Sequence, residues 1–504
     1  MSGLKVLLCS ENTPPQVNGI ARRVGHYTDG LSARGVDLTL LHPGSEGVWH
    51  FINPWNGSAL MFIIKPTRLL SLLMGSYDLV HVVMPLNISG LWLLGGFRVL
   101  RALRRSETPK LVVSWHCNLE SYNKSIFPAA VNDFMVYLVS AIFQPVVRVS
   151  DHLLIPTPST EPLFRAGYGE RWGICPNGLQ LDSFNPAARH SASGELWQQR
   201  KRDALRAAGC SHLLLCVGRL SPEKGVQDLL SAMPLLTNCV LWLVGDGPAR
   251  GVLELQAREL GLDGALRSPG AAAAPRVQFW GYQRGEALHA VYTVCDCFVC
   301  PSQTETFGQT VNEALASGVP VAVPRVDCFV EAYTGLLDPA CMWTADVVAE
   351  MAKAIRSQLT EPEGRHGSSS GGGGGGGALG KKRPRLKSWD EACDELVGEY
   401  AKVDVHAAHQ GHSSLRVLAE FGVLLALLPS FFLFTVVVVL LIAALAKIRL
   451  VRAWLWAVFS PAALWSRLVA PPPAGSSRPA AAGTEPAPGA GAQLPLTPGK
   501  SKKL

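Results

Sequence analysis

Short apolar runs of strand length recur along the first two thirds of the chain, each separated from the next by a longer segment with helical spacing. The first series is Leu4 to Cys9, Leu38 to Leu41, Leu79 to Val83, Leu111 to Trp115 and His152 to Ile155. The second is Leu213 to Val217, Val240 to Val244, Val277 to Trp280, Cys297 to Val299 and Val319 to Val323. Continuous rather than alternating apolar runs are what strands covered on both faces require, so each series predicts a parallel sheet wrapped by helices. Two series in tandem predict two doubly wound, Rossmann-like domains, each with its ligand edge at the strand carboxyl ends.

A length of 504 residues agrees with more than one core. The reading divides it into an N-terminal Rossmann-like domain at 1–185 and a second Rossmann-like domain at 186–360. A flexible insertion at 361–388 follows, containing seven consecutive glycines from Gly371 to Gly377. Helical spacing returns at 389–412, a hydrophobic membrane-anchor region spans 413–469, and a Pro-, Ala- and Gly-rich tail expected to be disordered covers 470–504. Phe421 to Ala446 holds no charged residue, a run longer than the roughly 20 residues a helix needs to cross a bilayer. Lys447, Arg449 and Arg452 give it a basic flank, and Trp454, Trp456 and Trp465 an interfacial aromatic cluster. A single C-terminal transmembrane helix is therefore expected, with the two domains on the cytosolic or stromal side and the organelle left open.

The net charge of +7 is concentrated in C-terminal pieces such as Lys381 to Arg385, which suits an acidic membrane surface and argues against a nucleic-acid partner. The 12 cysteines lack the spacing of a disulfide framework, and Leu4 to Cys9 leaves no room for a cleaved leader, so a reducing compartment is expected. Cys295, Cys297 and Cys300 alternate around a strand and read as small buried thiols rather than a metal cluster.

Three passages carry chemistry. Pro14 to Ile20 follows the first strand, and Gly19 there lets backbone N–H groups approach an anion where a helix begins near Arg22. Gly218 to Gly225 brings Arg219 and Lys224 to the carboxyl edge of the second sheet, where fixed cations oppose the charge that grows on a departing diphosphate. Pro301 to Pro320 places Glu305 in a loop after a strand and Glu313 two turns into the next helix. One carboxylate can then meet sugar hydroxyls and the other the ribose, with the N–H groups of Thr306, Phe307 and Gly308 turned toward phosphate. No Asp-x-Asp pair is present, so no metal or other cofactor is expected.

The Glu-x7-Glu passage, the Gly-Arg-x4-Lys turn, Val244 to Pro248 and Pro176 to Leu179 together resemble family 4 retaining glycosyltransferases of the GT-B fold, in order from about Leu4 to about Thr360. Within that family the chain looks most like sulfoquinovosyl transferases and lipid-directed α-mannosyltransferases. The resemblance implies a nucleotide sugar as donor, UDP-linked first and GDP-mannose as the alternative, and a membrane lipid such as diacylglycerol as acceptor. It also implies that Arg219 and Lys224 clamp the diphosphate, Glu305 holds the donor sugar, Glu313 the ribose, and Gly19 borders phosphate and acceptor. Val113 to Tyr122 resembles the family's Tyr-His segment, by which His116 would face the transferring sugar; without the family, His116 reads equally as a satisfied structural histidine. Retention would proceed by front-face attack, the departing phosphate oxygen taking the acceptor proton. Relatives usually carry a Gly-Gly pair where this chain has Val326 to Phe329, which leaves the donor sugar open and keeps a non-catalytic, membrane-tethered nucleotide-sugar-binding scaffold as a reading from another class. Ser388 to Asp390 resembles the family's closing helix that returns to the first domain.

Overall fold

The computed structural model describes residues 3–16, 18–52, 59–84, 88–104, 108–116, 150–163, 171–264, 274–334, 336–344, 348–359 and 386–403. The chain separates into two units, Met1–Phe421 and Gly422–Leu504. The second unit, with it the anchor region and the tail, lies outside the described residues, as do the glycine run and Asn118 to Tyr122. Among the described residues no helix is long and apolar enough to cross a membrane.

The first sheet begins with β1 (Lys5–Cys9), followed by α1 (Gly19–Ala33) and β2 (Asp37–Leu41). A hairpin of β3 (Val48–Ile52) and β4 (Ala59–Ile64) follows, then α2 (Pro66–Leu73), β5 (Leu79–Met84), α3 (Ile88–Arg104), β6 (Lys110–Trp115), β7 (His152–Ile155) and β8 (Trp172–Ile174). The six main strands run parallel in the order β2-β1-β5-β6-β7-β8. The second sheet is built from α4 (Ala192–Ala208), β9 (His212–Val217), α5 (Val226–Ala232), β10 (Cys239–Val244), α6 (Arg250–Glu259) and β11 (Val277–Gly281). It continues through α7 (Gly285–Val294), β12 (Cys297–Val299), α8 (Gln309–Ala316), β13 (Val321–Pro324), α9 (Asp327–Tyr333), β14 (Met342–Trp343) and α10 (Val348–Leu359). Its order is β11-β10-β9-β12-β13-β14, again parallel.

All ten strands expected from the apolar runs are present within about two residues of their expected ends. The hairpin, β8 and β14 were not expected: two- and three-residue strands carry too few side chains to make a pattern, and the hairpin is signalled chiefly by one dipeptide, Asn56-Gly57, between its strands. Helix α1 starts three residues earlier than Arg22, since Asn18 caps it by accepting from the Ala21 N–H at 2.8 Å.

Helix α11 (Trp389–Lys402) follows a capping box in which Ser388 and Glu391 exchange bonds, and it returns to the first sheet. There Trp389, Ala392, Cys393, Leu396 and Tyr400 share a core with Val6, Tyr27, Leu79, Val112 and Leu154. The second sheet buries both faces, one of them around Trp197 and Trp242, which with Trp280 stand 4.9 to 5.3 Å apart. Aromatic pairs at such spacing add roughly 1 kcal/mol each beyond area burial. Cys295 and Cys300 belong to that face and Cys297 to the other, so the three thiols do not converge on one ion.

The first core also contains neutral imidazoles. Burial pushes the His81 ring down to about 3, and burial, then Arg23, hold His116 well below the ordinary histidine value of 6.5. An imidazole depressed on folding contributes its full stability above 6.5 and loses it as pH falls below that value. Stability should therefore fall by about 1.4 kcal/mol per pH unit per such ring on the acid side. Thermal melting at pH 7 and pH 5 tests this; equal melting temperatures would contradict it.

Candidate active site

The second sheet reverses strand order between β9 and β12, so the crevice beyond their carboxyl ends is where such a fold places a ligand. The turn after β9 carries Arg219 and Lys224, and the loop after β12 carries Glu305. Lys224 Nζ donates to Glu305 Oε1 at 2.6 Å across this switch point. Burial alone would lower the lysine and raise the carboxyl. The mutual attraction and hydrogen bond reverse both, holding the Lys224 pKa above and the Glu305 pKa below the ordinary values. Both groups are therefore charged at neutral pH.

Arg219 is the more exposed cation, its side chain 44 % accessible, and one guanidinium nitrogen donates to Glu223 Oε1 at 3.1 Å. Ser221 donates to the same oxygen at 2.5 Å, which leaves the rest of the Arg219 fork toward the edge. Thr304 donates to the Glu223 carbonyl at 3.4 Å, tying the cation turn to the carboxylate loop.

Gly308 caps α8 with φ +71°, and a Cβ there would stand 2.3 Å from Phe329 Cε1. The segment Val326 to Phe329 opens α9 and seats Phe329 against this turn. Thr306 reaches the first domain, donating to the His116 carbonyl at 3.5 Å. Gly19 lies exposed at the start of α1, with open space where a side chain would be.

Glu313 sits in the second turn of α8 and is 2 % exposed. Tyr292 donates to its Oε2 at 2.7 Å and Arg22 of α1 to its Oε1 at 2.5 Å. Burial raises its pKa, opposed chiefly by Arg22. Arg22 was not singled out from the sequence. The signal was there: Arg22 and Arg23 near the start of α1, with no acid in its first turn, oppose the helix dipole and need acceptors from elsewhere.

His116 follows β6, inside the first domain. Its ring is 6 % exposed and turned into the first domain, with Arg23 against Nδ1 and Ser114 Oγ 2.8 Å from Nε2. A guanidinium only donates, so Nδ1 accepts and Nε2–H donates to Ser114. Ser114 then donates to His81 Nε2 at 2.7 Å, and His81 Nδ1–H to the Tyr400 oxygen at 2.7 Å. Both ring nitrogens are engaged, and only the backbone carbonyl of His116 meets the Glu305 loop.

The two crossings between the domains lie side by side, Leu179 N–H donating to the Lys387 carbonyl at 2.8 Å. A cavity of about 730 Å³ opens beside them, bordered by Trp172, Asn177, Phe307, Tyr333 and Glu399. None of Arg219, Lys224, Glu305 and Glu313 lines it.

Residues 211–361 match the family Glycosyl transferases group 1. The chain carries a glycosyl transferase group 1 domain. This glycosyltransferase is 28 % identical over 431 residues to a GDP-mannose-dependent alpha-mannosyltransferase of Mycobacterium tuberculosis, covering 80 % of this chain and 98 % of that one. It is 26 % identical over 251 residues to a sulfoquinovosyl transferase of Arabidopsis thaliana, covering 49 % and 42 % of the two chains. Among solved structures, sucrose-phosphate synthase from Thermosynechococcus elongatus aligns with a TM-score of 0.56 at 19 % identity over 80 % of this chain and 100 % of that one. The glycosyltransferase therefore has the GT-B fold, and the scaffold reading gives way to an enzyme.

Proposed function

We propose that the glycosyltransferase moves a sugar, with retention, from a nucleoside-diphosphate sugar to a membrane lipid, in the manner of a sulfoquinovosyl-diacylglycerol synthase. The observation that carries this is the Lys224–Glu305 pair at the strand-order switch, with Arg219 in the same turn as Lys224 and Glu313 buried in the helix that follows the Glu305 loop. In this reading Arg219 and Lys224 bind the diphosphate and stabilise its growing charge, Glu305 fixes the sugar hydroxyls, and Glu313 takes the ribose. The N–H groups of Thr306 to Gly308 supply further donors, and Gly19 leaves room at the first-domain edge for phosphate and acceptor. His116 contributes its carbonyl and the rigidity of its hydrogen-bond chain, with the ring as a positioning group.

The donor is UDP-linked in this reading. A second, with GDP-mannose, is favoured by the relatives that span nearly the whole chain, since three are GDP-mannose-dependent alpha-mannosyltransferases covering 79 to 80 % of it. The uncharged run Phe421 to Ala446 supports a single-pass anchor that brings a lipid acceptor to the site, the domains facing the cytosol or stroma. The two cations take the place of Mg²⁺ in charge neutralisation.

Membranes containing the full chain, given labelled UDP-sugars and GDP-mannose separately, should transfer label into the lipid extract from one donor and continue in excess chelator. Label confined to water-soluble product would sink the lipid acceptor. Loss on chelation, restored by Mg²⁺ or Mn²⁺, would sink metal independence.

A further inference from the structure

The carboxylate assigned to the ribose is already occupied, and its occupant comes from the other domain. Glu313 Oε2 holds Tyr292 and Oε1 holds Arg22. Its side chain is 3 % accessible against 30 % for Arg22, so the guanidinium stands between the carboxylate and solvent. Arg22 is itself held by the stretch that precedes α4. Gln180 Oε1 accepts from its second nitrogen at 3.3 Å, the Phe184 ring lies 5.6 Å beneath it, and His289 packs on that same ring at 4.6 Å.

We propose that Arg22 gates the donor site: the cis-diol of a ribose and the Arg22 guanidinium compete for Glu313, so that nucleotide binding releases the tie between α1 and α8. The proposal rests on the donor reading above and adds the residue that a donor must displace. A diol can give two hydrogen bonds to one carboxylate, one of them replacing the single bond that Arg22 gives to Oε1. With Arg22 gone, the buried Glu313 takes a proton more readily and still presents an acceptor oxygen, so the pocket remains usable.

The test is a titration of the full chain in detergent with UDP and with GDP, and with the 2′,3′-dideoxy form of whichever binds. Wild type, Arg22→Ala and Arg22→Lys are compared, each checked by thermal melting. The gate predicts that Arg22→Ala tightens the ribonucleotide by about fivefold or more and leaves the dideoxy form unchanged. Arg22→Lys, which keeps the charge without the planar fork, should fall between. If Arg22→Ala is unstable, the ordering of wild type and Arg22→Lys on ribo- against dideoxynucleotide carries the test alone. An unchanged or weakened ribonucleotide affinity in the folded variants overturns the gate, as does equal tightening of the ribo and dideoxy forms. If folded wild type and variants bind neither nucleotide, the donor reading itself fails and the gate falls with it.

Discussion

Replacing Lys224 with alanine should cut turnover by about 100- to 1000-fold, the size seen when one preorganised group facing developing charge is removed. Lys224 bonds Glu305 at 2.6 Å at the edge where a diphosphate would leave, so the substitution acts twice. It removes a cation that matters more as the sugar bond breaks, which lowers kcat rather than raising KM alone. It also leaves Glu305 buried without its counter-charge, and its carboxyl, now held below the ordinary range, would rise. Glu305→Ala should lose at least about 2 kcal/mol of transition-state binding. Because the two act as a unit, the double variant should be little worse than Lys224→Ala. A Lys224→Ala enzyme retaining more than about a tenth of wild-type kcat would show that the pair is structural.

Gly245→Ala should be the most damaging single methyl added to the second domain. Gly245 follows β10 with φ +139°, and a Cβ there would lie 1.9 Å from the Gly218 carbonyl oxygen. The two loops are bonded to each other, Gly218 N–H to the Val244 carbonyl and Leu220 N–H to the Asp246 carbonyl, both at 3.0 Å. Neither can retreat without moving Arg219. Strain at this backbone angle together with overpacking costs on the order of 3 kcal/mol. For a domain of this size that means a fall in Tm on the order of 5 °C or more. Nucleotide affinity should fall as well, since the displaced turn carries Arg219. A variant with wild-type melting and wild-type nucleotide binding would rule out the close approach.

Much of the site was legible because its parts are local. Arg219 and Lys224 lie in one turn, Glu305 and Glu313 in one loop and helix, and a strand end tells which edge they occupy. What spacing along a chain cannot reveal is which side chain from a distant segment arrives opposite. Arg22 lies 291 residues from Glu313, and only the docking of α1 onto α8 makes them partners. The two readings of His116 stayed open in the sequence for the same reason. The motif around it is local, but the orientation of its ring is set by Arg23 from α1, Ser114 from β6 and, through His81, Tyr400 from α11. The replacement at Val326 to Phe329 was visible as a departure, and its consequence, Phe329 packed on Gly308, was not.

By itself the sequence determined two parallel sheets in tandem, the edge on which each would bind, and the cations and carboxylates at that edge. Those follow from periodicity and from turns a few residues long, which a chain encodes locally. The tertiary structure alone decided that the cations are already paired, that Glu313 is closed off by the other domain, and that His116 faces inward. Burial and hydrogen bonding are properties of what surrounds a group, and the surroundings here come from segments hundreds of residues apart.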